Sequence, residues 1–148
     1  MKARKTMASN SEKLKSAGLK VTHPRSKILE IFQSSPDNHF SADEIHLKLA
    51  NANENVGLAT VYRVLTQLEL AGLIEKNQFN KTQSNYEIKK EHHDHLICTK
   101  CGKIVEFNNP AIEKMQEKVS SEYNFRLTTH VMTLFGECLD DKCQENKD

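Results

Sequence analysis

Residues 41–72 read SADEIHLKLANANENVGLATVYRVLTQLELAG, and this stretch decides the fold. Ser41 and Glu44 form a capping box: the serine hydroxyl can accept from the Glu44 amide while the Glu44 carboxylate reaches back. A helix therefore starts there and buries Ile45 and Leu49. Asn51 to Gly57 is a polar connection. From Leu58 a second run places Val61, Val64, Leu65 and Leu68 on one face, and Gly72 closes it as a C-terminal cap. Working backwards, Thr22-His23-Pro24 opens an earlier helix. Thr22 is its N-cap, Pro24 lies in the first turn where a missing N–H costs little, and Ile28, Leu29 and Phe32 form the buried stripe. Pro36-Asp37-Asn38 ends it. Three short helices in succession suggest a helix-turn-helix. Residues 1–10, MKARKTMASN, show no apolar period and are expected to fray.

Working forwards, Leu73 to Lys76 and Tyr86 to Ile88 read as two strands around a polar turn, the wing of a winged helix. From Glu91 the composition changes. His95 to Cys98 and Lys103 to Phe107 read as short strands. Pro110 to Tyr123 reads as a helix through Ile112, Met115 and Val119, and a last strand runs from about Phe125 to Phe135 before Gly136. The expected class is α+β: a winged helix over residues 1–89, then a small α/β domain over residues 90–148. Halves this small bury little surface, so one of them needs a metal, a disulfide or a partner.

The net charge of +1 is unevenly spread. Residues 1–30 carry +6, residues 31–90 carry −1 and residues 91–148 carry −4. A polyanion would sit at the basic end. No apolar run approaches the roughly 18 residues of a membrane span, and no apolar leader follows Met1. A cytoplasmic protein is expected.

All four cysteines fall in two pairs, Cys98-x-x-Cys101 and Cys138-x4-Cys143. Two short-range pairs can close a tetrahedral thiolate shell around zinc, and Gly102 fits a knuckle in which the chain turns back to the sulfurs. Two disulfides or a thioredoxin-like redox pair are the rivals. The first lacks an export signal and the second lacks a βαβ context.

Histidine gives a different signal in Glu91-His92-His93-Asp94-His95. In an extended segment His93 and His95 point one way while His92 and Asp94 point the other, so one short segment can serve two sites. Glu87, Glu106 and Glu113 supply carboxylates, and such a nitrogen and oxygen shell suits Fe(II), Mn(II), Co(II) or Zn(II).

With these residues in view, Ala17-Gly18-Leu19-Lys20-Val21-Thr22, Pro24-Arg25, GLATVYRVL at 57–65 and HHDHLIC at 92–98 resemble, in this order, the ferric uptake regulator (Fur) family. The resemblance runs from about Ala17 to Cys143. It implies a DNA-binding winged helix, a hinge near residue 90 and a C-terminal dimerisation domain. Residue by residue, it implies structural zinc on Cys98, Cys101, Cys138 and Cys143. The regulatory metal falls on His39, Glu87, His93, His95 and Glu106, and a third site on His92, Asp94, Glu113 and His130. Only the resemblance singles out His39; His23 and His46 are left as surface residues. Peroxide sensors of the family have Asp where Glu87 and Glu106 stand and iron sensors have Glu, so the chain resembles an iron sensor. A zinc, manganese or peroxide sensor is the alternative within the family; intrinsic affinity favours zinc over Fe(II).

The implied activity is repression: palindromic promoter DNA is bound by a homodimer, or a pair of dimers, when Fe(II) is present. The helix from Leu58 to Ala71 would enter the major groove with Thr60, Tyr62 and Arg63 outward, while Lys20 and Arg25 reach phosphate or the minor groove. A zinc hydrolase and a metal-storage protein are the rivals from other classes. No HExxH helix supports the first, and the basic segment and the GLATVYRVL helix speak against the second.

Overall fold

A computed structural model describes residues 9–79 and 82–143. The chain divides after Lys90 into two compact units.

The first unit contains α1 (Asn10–Ser16), α2 (His23–Ser34), α3 (Ala42–Asn51) and α4 (Leu58–Leu70), then β1 (Ile74–Asn77) and β2 (Asn85–Ile88). The caps act as their side chains dictate. Thr22 accepts from the Arg25 amide, and Ser41 and Glu44 bond reciprocally at 3.1 and 2.7 Å. Gly72, at φ +75°, ends α4 in a conformation that costs a glycine nothing. Ile28, Leu29 and Phe32 of α2 meet Ile45 and Leu49 of α3 and Val61, Val64, Leu65 and Leu68 of α4 in one core. β1 and β2 form an antiparallel hairpin with Glu75 opposite Glu87 and Asn77 opposite Asn85. Phe40 joins its edge by two backbone bonds to Tyr86, of 2.9 and 2.8 Å.

The N-terminus departs from expectation. Residues 1–8 lie outside the described residues, but Asn10 is already helical. Ser9 accepts from the Glu12 amide at 3.2 Å and the Glu12 carboxylate accepts from Ser9 at 2.9 Å. A reading by apolar period misses so short a helix, because it has one fully buried residue, Leu14. Leu14 joins the main core and α1 packs on α2. Leu14→Ala is therefore expected to destabilise the first unit by about 2–5 kcal/mol. An unchanged urea midpoint would show α1 to be dispensable.

The second unit contains β3 (Asp94–Cys98), β4 (Ile104–Phe107), α5 (Pro110–Glu122) and β5 (Thr133–Gly136). β3 lies at the centre of a three-stranded sheet, antiparallel to β4 and parallel to β5, with α5 in the connection between the outer strands. Asn109 caps α5 by accepting from the Ala111 and Ile112 amides. The last strand is shorter than its sequence suggests. It pairs from His95↔Thr133 to Cys98↔Gly136, with the Met132 carbonyl accepting from the His95 amide, and β3 begins at Asp94, so residues 125–131 have no length of β3 to pair with. The expected stripe of α5 is also uncovered: no residue of α5 is buried, and Met115 and Val119 are exposed along with Phe125 and Val131. Among the described residues no helix is long and apolar enough to cross a membrane.

Candidate metal centres and nucleic-acid interface

The four cysteines converge. Cys98 ends β3, Gly102 at φ +75° turns the chain back, and Cys138 and Cys143 follow β5. Cys98 Sγ lies 3.6 Å from Cys143 Sγ, and Cys101 Sγ lies 3.7 Å from Cys138 Sγ. All four sulfurs fall within 4.8 Å of one another and none is in a disulfide. A tetrahedron with zinc–sulfur bonds of about 2.3 Å has edges of about 3.8 Å, so the cluster has the right size. Backbone amides of Cys101 and Cys138 donate to Cys98 Sγ, and these bonds hold its thiol well down, at about 5. Burial, then hydrogen bonds from the other sulfurs, pushes Cys143 up to about 12. Cys138 is raised chiefly by its hydrogen bond with Cys98. Cys98 thus ionises more readily than Cys138 and Cys143, and a central cation would favour the thiolate form of the set.

A second cluster of the same unit joins His92, Asp94, Glu113 and His130. His92 and Asp94 flank the start of β3 on the same side of the pleat, Glu113 is in the first turn of α5, and His130 precedes β5. His92 Nε2 is 2.9 Å from His130 Nε2, 3.5 Å from Asp94 Oδ1 and 3.4 Å from Glu113 Oε1. His130 Nε2 is 3.3 Å from Asp94 Oδ1 and 3.4 Å from Glu113 Oε1. Nitrogen and oxygen ligands about 2.05 Å from a tetrahedral ion stand about 3.35 Å apart, within the range these atoms occupy. Asp94 is 1% exposed, yet neither of its carboxylate oxygens accepts a hydrogen bond. A buried carboxylate in that condition is costly unless a cation compensates it.

The five residues expected to hold the regulatory metal lie in both units. In the first, the Phe40↔Tyr86 bridge puts His39 opposite Glu87, with His39 Nε2 2.7 Å from Glu87 Oε2. Both side chains are buried, and the Asn77 amide donates to the other Glu87 oxygen at 2.9 Å. In the second, His95 pairs directly with Glu106 across β3 and β4. His93 lies on the same side of the strand, its ring 4.8 Å from His95 and its Nε2 3.7 Å from Glu106 Oε1. Of the histidines left over, His46 is half-buried, and His23 is exposed and tied to Glu54 over 2.5 Å, a bond that holds the Glu54 carboxyl below the usual range.

On α4 the face opposite the core presents Tyr62 and Arg63 to solvent, with Thr60 half-buried. Lys20 is exposed. Arg25 is more engaged than its sequence suggests: it donates twice to Gln67 Oε1 and once to the Lys20 carbonyl. Arg25 thus braces α4 against the start of α2, with donors to spare from the five of its guanidinium. No period or spacing in the sequence marks Gln67 or Asn77 for these contacts.

The model of the ferric uptake regulator family matches residues 16–135. A ferric uptake regulation protein of Vibrio anguillarum is 45% identical over 141 residues, covering 95% of each chain. The solved ferric uptake regulator of Vibrio cholerae superposes with a TM-score of 0.80 at 45% identity, covering 87% of this chain and 99% of that one. That of Helicobacter pylori, described as having three functional metal binding sites, gives 0.78 at 37% identity, with 91% and 89% covered.

Proposed function

Since this chain belongs to the ferric uptake regulator family, whose members are metal-responsive transcriptional repressors of iron homeostasis, we propose that it represses iron-uptake promoters when its regulatory site holds Fe(II). It works in the cytoplasm, by binding rather than catalysis. Its form is a homodimer on palindromic double-stranded DNA, with pairs of dimers as the larger assembly. The exposed apolar face of α5, with Met115, Val119 and nearby Leu127, is the kind of surface a second copy covers.

Zinc on Cys98, Cys101, Cys138 and Cys143 staples the second unit. His92, Asp94, Glu113 and His130 form a third centre of tetrahedral character. The regulatory ion, Fe(II) or Mn(II), Co(II) or Zn(II) in its place, takes His39 and Glu87 from the DNA-binding unit and His93, His95 and Glu106 from the dimerisation unit. One observation carries this reading: each set is clustered within its own unit and incomplete by itself, two ligands in one and three in the other. An ion drawing on both favours one arrangement of the two units, so metal shifts the population towards the form that fits both half-sites. By linkage DNA tightens metal to the same degree.

In that form α4 lies in the major groove. Arg63 reaches a guanine edge or a phosphate, Tyr62 meets a thymine methyl and Thr60 lies beside them. Lys20 and the spare donors of Arg25 add salt-dependent phosphate contacts. Arg63→Ala is expected to weaken operator binding by about 1–3 kcal/mol if it reads a base, and to weaken operator and scrambled DNA alike if it holds phosphate. Titrating both DNAs at two salt concentrations, with and without chelator, separates these outcomes. No loss on either DNA would remove α4 as the reading helix, and chelator-insensitive operator binding would remove metal control.

A further inference from the structure

Glu87 is wholly buried, and its two oxygens are treated differently. Oε2 lies 2.7 Å from His39 Nε2, while Oε1 accepts from the side-chain amide of Asn77 at 2.9 Å. Asn77 is the last residue of β1 and sits diagonally across the ladder from Glu87, on the same face of the hairpin. Two residues further along, Phe79 meets the His39 ring edge to face at 5.8 Å. The pair His39–Glu87 is thus bracketed by the outgoing end of the wing.

We propose that Asn77 is a positioning residue for the regulatory metal: its amide holds Glu87 Oε1, so that the carboxylate meets the ion through Oε2 alone. The proposal rests on the assignment of His39 and Glu87 as regulatory ligands. A carboxylate that can swing freely offers both oxygens and can occupy two coordination positions; one held by a donor offers one, and leaves room for the remaining ligands. The donor must be an N–H. An aspartate of the same shape would place a second acceptor, and at neutral pH a second negative charge, where the amide now donates. Because Asn77 also begins the turn of the wing, the same bond links metal occupancy to the order of that hairpin.

The test is Co(II) binding to the full-length, zinc-loaded protein, carried out in a His92→Ala background so that the ion does not settle around Asp94. Affinity comes from chelator competition and ligand geometry from the visible ligand-field bands. Asn77→Leu and Asn77→Asp should each weaken Co(II) by about 10- to 100-fold, the usual cost of losing such a supporting bond, and should alter the bands. Asn77→Gln, which keeps the donor, should recover most of the affinity and the original bands. Glu87→Ala fixes the reference, since it should abolish the signal. If Glu87→Ala abolishes it while Asn77→Leu binds with unchanged affinity and bands, Asn77 has no positioning role and the ligand assignment stands. If Glu87→Ala has no effect, the ligand assignment fails and the proposal falls with it. Equal losses in the Leu and Gln variants with unshifted bands would mean general loosening of the hairpin, which also overturns the proposal.

Discussion

Cys101→Ser should release about one zinc per chain and unfold most of the second unit. The reason lies in how little else holds that unit together. Among the described residues, fifteen of the seventeen buried hydrophobic ones belong to the first unit and two, Ile97 and Cys98, to the second, and Cys98 is itself one of the clustered cysteines. A structural zinc contributes on the order of 10–16 kcal/mol of apparent binding free energy, comparable with the entire stability of a small domain. Serine keeps the size of cysteine but is a poor ligand for zinc, and the three remaining sulfurs would revert to the crowded, partly protonated state described above. Zinc content, sedimentation velocity and chemical unfolding measure the effect. A zinc-free variant that is stable and fully dimeric would sink the structural assignment.

His95→Ala should leave that zinc, the fold and the dimer intact but remove the response to the regulatory metal. His95 is buried as the second residue of β3, between Glu106 on one neighbouring strand and Thr133 on the other, with its ring against His93. Without it the second unit keeps two of its three proposed ligands, and the ion loses most of its preference for one arrangement of the units. A ligand without such a preference shifts nothing, however tightly it binds. The gain in operator affinity on adding Fe(II), Mn(II) or Co(II), of the order of 5- to 150-fold for typical allosteric coupling, should vanish. Weak, salt-sensitive binding through Lys20 and Arg25 should survive. Full metal activation of His95→Ala would remove this cluster from the regulatory role.

The parts of the molecule that were legible in the sequence are those that local chemistry decides. Thr22, Ser41 and Gly72 mark helix ends because caps act within a few residues. The cysteines announce themselves because paired spacing is a property of the chain. Alternation along residues 92–95 separates two clusters of side chains because the pleat has a period of two. What escaped was either too small for a period, as with α1 and its single buried leucine, or set by distant partners. The last strand begins only at Thr133 because β3, its parallel partner, begins only at Asp94, a limit imposed from far back in the chain. His39 becomes a neighbour of Glu87 only through the Phe40↔Tyr86 bridge, and Asn77 and Gln67 acquire their contacts only in the folded unit.

The placing of members of three proposed ligand sets along the one short segment 92–98 constrains how this protein can change over generations. His92 and Asp94 share one parity, His93 and His95 the other, and Cys98 closes the strand. A substitution at any one of them alters a single centre. Deleting or inserting one residue between His92 and Cys98 reverses the side on which every later residue emerges, so it damages two or three centres in one event. Metal preference can therefore drift through exchange of side chains, Glu for Asp or His for Cys, but not through changes of length. This segment is a fixed frame in which only the letters are free to vary.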